Sequence, residues 1–331
     1  MPTPSRPSRK ESKPARAPRS TNRRLRVSIV GAGRLGTALG LALRRAGHKI
    51  EVAATAHAAT ARHAAKAIGN ETLPSTAIQL QDTRSEAHGR LLESDLVIIA
   101  TPDTTIQNVA NDLAQALPKR NHISRKPVRT VLHTSGAMSS ELLAPLRGRG
   151  FATGSLHPVV SVAEPESGAE VFRDVYFCVE GDASAVRIAR MLVAQLGGRS
   201  FTIKSESKPL YHASAVMASG HVVALFDLAM TMLHECGLST SEARRVLLPL
   251  LSSTADNLRN EPPSRALTGP YMRGDLTTVQ KHLKSLRASK LAEANETYKV
   301  LARHAAALGK TLNQDKNLER IAELLEPENK R

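Results

Sequence analysis

Three glycines, Gly31, Gly33 and Gly36, are spaced as G-x-G-x-x-G in the run Gly31-Ala32-Gly33-Arg34-Leu35-Gly36. That spacing suits phosphate chemistry: the first glycine makes a tight turn, the second lets backbone approach a pyrophosphate, and the third lets a helix pack closely. A helix that begins there presents unpaired N–H groups and a partial positive charge to an anion. Other residues offer proton transfer and anion binding. His157, just before Pro158, is a side chain whose ordinary pKa suits proton movement near neutrality. Lys208 and His212 are four apart, so on a helix they share a face, where one could protonate a product and the other hold an anion. Arg273 follows Gly269-Pro270-Tyr271 and could grip a carboxylate through two parallel bonds, while Asp275 holds that arginine, contacts substrate or caps the next helix. Hydride transfer to a carbonyl or imine needs this set: a rigidly held nicotinamide, a proton donor and a cationic anchor. From these residues alone, a packing role for His157 and a solvated one for Lys208 stay open.

These groups need elements to place them. The β-branched run at 27–30 and the Ala/Leu-rich stretch at 35–46 predict strand, glycine turn and helix. Further strands are expected at 50–54, 95–100, 128–133, 151–155 and 176–179, with helices at 58–68, 104–117 and 183–196. The stretch 95–100 is almost wholly apolar, as a strand buried on both faces should be. The alternation predicts an α/β fold, a doubly wound Rossmann-type sheet over about 25–205. Beyond it the strand signal stops, and helical patterns at 208–236, 239–258, 275–287 and 289–308 predict an all-helical domain over 206–310. A peripheral extension fills 311–331. Ligands of open parallel sheets bind beyond the carboxyl ends of the strands. The loops Thr101-Pro102 and His133-Thr134-Ser135-Gly136 are therefore expected to border the nicotinamide, with Ser135 also near substrate. The second strand ends in Ala54-Thr55-Ala56-His57, without the acid that would bond a ribose 2′-hydroxyl, and Glu51 lies within the strand. With Arg34, Thr55, His57 and Arg62 nearby, the site favours NADP, with NAD possible.

The formal charge of +16 is concentrated: residues 1–24 hold eight Lys/Arg against one acid, Glu11. Rich in Pro and Ser, this tail is expected to be disordered, its prolines breaking any transit-peptide helix. An aromatic content of 3% with no Trp leaves few stacking platforms for nucleic acid, so no specific nucleic-acid partner is expected. Cys178 and Cys236 are too far apart in sequence to suggest a metal knuckle or disulfide framework, which points to a reducing cytoplasm. The apolar stretch 213–233 is long enough to span a bilayer, but His221 and Asp227 interrupt it. A core helix is expected there, His221 being a satisfied core histidine, and a homodimer built on that helix is the alternative use of its apolar surface.

Four segments together resemble a bacterial family that pairs a Rossmann-like domain with a C-terminal domain of unknown function, DUF2520. They are Gly31 to Gly36, His133-Thr134-Ser135-Gly136-Ala137, Gly154-Ser155-Leu156-His157-Pro158 and Leu267-Thr268-Gly269-Pro270-x-x-Arg273-Gly274-Asp275, supported by Tyr211-His212-Ala213. The likeness covers about 25–310. That family is similar to ketopantoate reductases, pyrroline-carboxylate reductases and F420-dependent NADP oxidoreductases, in which a helical domain closes a cleft over the nicotinamide. The resemblance implies a reductase of a small molecule, with a ketopantoate-like 2-oxo acid the first substrate expected. A non-catalytic sensor of NADP redox state is the competing class. Gly220 stands where related sequences often carry Asn, and Ala56 near where they carry Arg, so an Asn-based substrate contact and the phosphate clamp do not carry over.

Overall fold

The structure, a computed structural model, describes residues 23–117, 129–313 and 316–326. The expected disordered tail and Val128 therefore lie almost wholly outside the described residues. The chain divides into two compact units, Met1–Ala215 and Val216–Arg331.

The first unit is built on a sheet of eight strands: β1 (Arg26–Val30), β2 (Lys49–Thr55), β3 (Leu73–Thr76), β4 (Leu96–Ile99), β5 (Arg129–His133), β6 (Phe151–Pro158), β7 (Tyr176–Gly181) and β8 (Arg199–Phe201). Their order is β3-β2-β1-β4-β5-β6-β7-β8, all neighbours being parallel except β6 and β7. The direction of winding reverses between β1 and β4, which opens a crevice at their carboxyl ends. Helices α1 (Arg34–Arg45), α2 (Ala58–Ile68), α3 (Ala77–Gln81), α4 (Glu86–Glu93), α5 (Asp103–Ala116), α6 (Ala144–Arg147) and α7 (Ala183–Gln195) flank it. Side chains of a strand alternate between faces. Val27 and Ile29 accordingly join a core with Leu39 and Ile68 on one side, while Val30 joins Val52, Ile99 and Ile106 on the other. Both faces are covered, as a parallel sheet requires.

Four features differ from the sequence expectation up to the start of α9. The weakly patterned stretch after α2 holds β3, α3 and α4, and the three-residue edge strand β8 follows α7. Strand β6 runs on through Pro158, so His157 belongs to the strand rather than to a loop beyond it. The helix expected over 208–236 is interrupted at Ala218-Ser219, giving α8 (Lys208–Met217) and α9 (Gly220–Glu235). Ser219 leaves helical geometry at φ −129° and ψ −83°, and the Ala-Ser-Gly sequence there offers little side-chain packing to hold the ladder.

The second unit contains α9, α10 (Thr240–Asn260), α11 (Pro263–Ala266), α12 (Pro270–Arg273), α13 (Leu276–Ala288), α14 (Ala292–Lys310) and α15 (Lys316–Leu324). Helix α10 opens with a capping box between Ser239 and Glu242. Val279, Leu283, Ala302, Ala306, Leu318 and Ile321 form the unit's core. The C-terminal extension is thus not peripheral, since Leu318 and Ile321 of α15 are fully buried. Nor is α9 a core helix. None of its residues is buried, and His221 is exposed rather than satisfied within a core. The stretch Ser205–Glu235 is long and apolar enough to cross a membrane by length and composition, at a mean hydropathy of 1.6 over its best window, and none of that window is buried.

Candidate functional site

The glycine turn separates what the protein itself demands from what something else demands. Gly31 has φ 95°, and a Cβ on it would lie 2.5 Å from the backbone of Ala100 and Thr101. A Cβ on Gly36 would strike the Gly31 carbonyl. Gly31 and Ala32 both donate their N–H to the Ala54 carbonyl, at 2.8 and 3.0 Å, which ties the turn to the end of β2. Gly33 is different: its φ is −76°, open to any residue, and no heavy atom lies within 4 Å of a Cβ placed there. Packing does not require that glycine. It caps α1 with no side-chain hydrogen bond, and the first turn carries no acid, so the helix terminus faces outward with its N–H groups unmet by side chains. This cradle, which a Cβ would fill, fits a dinucleotide pyrophosphate.

A cleft of about 460 Å³ continues from the turn, lined by Gly31, Gly33, Thr55, His57, Thr101 and Pro102 among others. The volume is in the range of cofactor pockets. Its apolar walls, Ala54, Ala56, Ala77 and Val109, suit a base, and no carboxylate is among the residues lining it. Thr101 carries a buried hydroxyl with no hydrogen-bond partner. Thr55 spends its hydroxyl on the turn, donating to the His57 carbonyl at 2.7 Å. His57 is exposed at the start of α2 and makes no side-chain cap. Glu51 is 1% exposed and bound to Arg26 at 2.6 Å and Lys49 at 3.2 Å, which fixes it as a strand ion pair away from the cleft's lining. Arg34, exposed on the first turn of α1, Ala32 and Leu35 complete the turn without lining the cleft.

Beyond β4 the sheet carries a buried polar row. Register places His133 of β5 beside Ser155 of β6, and Ser155 beside Glu180 of β7. All three are nearly inaccessible, at 0%, 0% and 6% exposure. Lys208, the first residue of α8, closes this row with a side chain 0% exposed. Its ammonium donates to the Ser135 carbonyl at 3.1 Å and the Ser155 hydroxyl at 2.5 Å, and lies 3.5 Å from the Glu180 carboxylate. Glu180 in turn accepts from the Ser140 N–H at 2.9 Å and from the hydroxyls of Ser140 and Ser205. The segment from Ser135 to Ser140 is therefore gripped at both ends by one buried ion pair. Burial pushes the Lys208 ammonium down from its ordinary range, and Glu180 opposes that. Burial, then the charge of Lys208, lowers the His133 imidazole to about 3.

Two residues along β6 from Ser155, and so on the same face, stands His157. Its Nδ1 lies 2.7 Å from the Tyr211 hydroxyl, and its ring meets those of Tyr211 and His212 edge-on at 5.6 and 5.8 Å. Gly136 admits both imidazoles: a Cβ on it would sit 2.5 Å from His212 Cδ2 and 2.8 Å from His157 Nε2. Burial, then His212 and Lys208, lowers the His157 imidazole to about 4, so it is neutral near neutrality. Burial raises the Tyr211 phenol, which keeps its proton. The structure thus brings Ser135, Gly136, His157, Lys208 and His212 together in the first unit. Tyr211 and Glu180 were not singled out from the sequence as site residues. The available signals were an acid inside an apolar strand, for Glu180, and a place beside His212 on the same helix, for Tyr211.

Arg273 and Asp275 lie in the second unit. Arg273 is exposed at the end of α12. Asp275 caps α13, accepting from the Thr278 N–H at 3.0 Å and its hydroxyl at 2.7 Å, so its carboxylate is committed locally. Tyr271, Tyr298 and His282 form a hydrogen-bonded chain beside an apolar cleft of about 370 Å³. Among the described residues no cluster of His, Cys, Asp and Glu could hold a metal ion.

Known proteins share this fold. A Bacteroides fragilis protein provisionally named an NADP oxidoreductase is 21% identical with a TM-score of 0.64, covering 88% of this chain and 99% of its own. A Thermotoga maritima protein is 25% identical with a TM-score of 0.61 (92% and 100%). A 1-pyrroline-5-carboxylate reductase of Streptococcus pyogenes is 14% identical with a TM-score of 0.55 (92% and 100%). No curated protein matches the chain. These likenesses concern the fold, and they run through both units. The Rossmann-like domain model matches residues 11–158 and the model of the domain of unknown function DUF2520 matches residues 175–305, the second match beginning within the sheet at β7. The chain is a Rossmann-like plus DUF2520 protein.

Proposed function

We propose that this protein is an NAD(P)-dependent oxidoreductase that prefers NADP and reduces a small carbonyl or imine bearing a carboxylate. The observation that carries the reading is Gly33, a glycine with open space where its Cβ would be, at an uncapped helix terminus facing a cofactor-sized cleft. The absence of a carboxylate from that lining supports NADP, because an acid at the end of β2 would repel a 2′-phosphate. Bound there, the cofactor supplies hydride. Ser135 and Gly136 border the reacting end, His157 donates the proton, and His212 packs beside it. Lys208, fully buried and fully engaged, acts as the anchor of this arrangement rather than as its acid.

Neighbours with the same fold and substrate-bearing names include the pyrroline-5-carboxylate reductase and an imine reductase of Myxococcus stipitatus in complex with NAD+. Cyclic imine carboxylates are thus the first compounds to screen, ahead of a ketopantoate-like 2-oxo acid. The unburied apolar surface of α9 supports a homodimer built on that helix, since Val223 and Leu225 are 70% and 42% exposed. His221 and Asp227 on the same helix favour a protein partner over a bilayer.

The test is titration with NADPH and NADH by the cofactor's own fluorescence, in the wild type and in Gly33→Ala. Saturable binding tighter for NADPH is expected, weakened about tenfold or more in Gly33→Ala, a loss of roughly 1.4 kcal/mol, with unfolding temperature nearly unchanged. No binding of either nucleotide by the folded protein would end the reading.

A further inference from the structure

We propose that Tyr211 fixes His157 as the neutral tautomer protonated on Nε2, so that His157 acts on the substrate as an uncharged hydrogen-bond donor and acid, with Tyr211 its positioning residue. The proposal rests on the oxidoreductase reading for its chemistry but not for its geometry.

The geometry begins with the 2.7 Å contact between the Tyr211 hydroxyl and His157 Nδ1. Either atom could hold the shared proton. If Nδ1 held it, the phenol would have to place its own proton elsewhere, and among the described residues no other acceptor faces that hydroxyl. If the phenol donates, both groups are satisfied and the imidazole proton must sit on Nε2. Nε2 lies 2.8 Å from where a Cβ on Gly136 would sit, beside the carbon edge of His212, and among the described residues the His157 ring makes its hydrogen bond through Nδ1 alone. The donor that results is uncommitted. The phenol is itself held, since the Phe201 ring packs edge-on against Tyr211 at 5.7 Å while His157 lies at 5.6 Å. Tyr211 sits 54 residues from His157, on the first turn of α8, which Lys208 fastens to the sheet.

A charged imidazolium is disfavoured in the same place. Besides Tyr211, the ionisable groups that bear on His157 are His212, Lys208 and His133, and none of these offers negative charge. Glu180, the nearest carboxylate of the polar row, is spent on Lys208, Ser140 and Ser205. A neutral imidazole therefore polarises the C=O or C=N group through Nε2–H. As hydride arrives at carbon, the Nε2 proton passes to the substrate oxygen or nitrogen, the Tyr211 proton passes to Nδ1, and water reprotonates the Tyr211 oxygen. The net change is one hydride and one solvent proton added across the double bond.

The full-length protein labelled with ¹⁵N tests this directly. Two-bond imidazole correlation spectra near neutral pH, with His157 assigned through His157→Gln, should show a protonated Nε2 and a bare Nδ1. In Tyr211→Phe the His157 signals should move toward a mixture of both tautomers, and kcat should fall with KM little changed. A wild-type His157 that is protonated on Nδ1, or on both nitrogens, overturns the proposal whether or not Tyr211→Phe folds. So does a Tyr211→Phe spectrum identical to wild type. The expected tautomer in a protein that binds no nicotinamide nucleotide would remove the oxidoreductase reading and leave the tautomer assignment standing.

Discussion

Two imidazoles in the sheet unit remain without charge in conditions where free histidine would protonate. His157 is lowered to about 4 and His133 to about 3 from an ordinary 6.5, burial being the first cause in both. Above pH 6.5 both are neutral folded or unfolded and give no slope. Below it the unfolded chain binds protons that the folded one refuses, so stability falls as pH drops toward those lowered values, by up to about 1.4 kcal/mol per unit for each histidine. Urea unfolding at about pH 7 and about pH 5 should show that loss in the wild type and a smaller one in His157→Gln. An equal loss in both would mean His157 is not held neutral. Single residues were unevenly legible in the sequence. The glycine turn could be read because its demands are local: backbone geometry within six residues and the strand before them. Glu180 and Tyr211 could not be ranked, because their partners lie 28 and 54 residues away and only pairing across β5, β6 and β7 brings them together.

At the scale of elements, the joint between sheet and helix is the buried pair of Lys208 and Glu180. Removing one member of such a pair strands the other and costs about 3–5 kcal/mol, whereas neutralising both costs much less. Lys208→Met should therefore lower the unfolding free energy by about that amount. Lys208→Met with Glu180→Gln should recover much of it, the amide still accepting from Ser140. A double variant no more stable than the single one would show that the ion pair is not the source of the loss. The periodic helices α1 and α2 and the wholly apolar strand β4 were evident from composition and spacing. The four-residue β3 and three-residue β8 were not, because so short a run carries no period and is defined by its neighbour in the sheet. The break between α8 and α9 was hidden because apolar residues continue on both sides of Ala218-Ser219-Gly220, where the helix is interrupted.

For the whole molecule, the open question of association follows from surface rather than core. Helix α10 adds exposed Val246 and Leu250, at 57% and 63%, to the unburied residues of α9. Sedimentation should give about twice the 35.6 kDa of one chain, and Val223→Glu with Leu225→Glu should return it to that single mass. A wild type that sediments as one chain would leave that surface for another partner. The two-part architecture itself was readable from the alternation of strands and helices giving way to helices alone. The place where the units part was not, and the reason has a practical side. An expression fragment cut after residue 205, where the strand pattern ends, would bury Glu180 with its counter-ion deleted. One carried on to residue 215 would retain Lys208, Tyr211 and His212 with the sheet they serve. The smallest piece worth producing alone is thus set by an electrostatic debt inside the sheet, and its natural end is one helical turn past the last of those three residues.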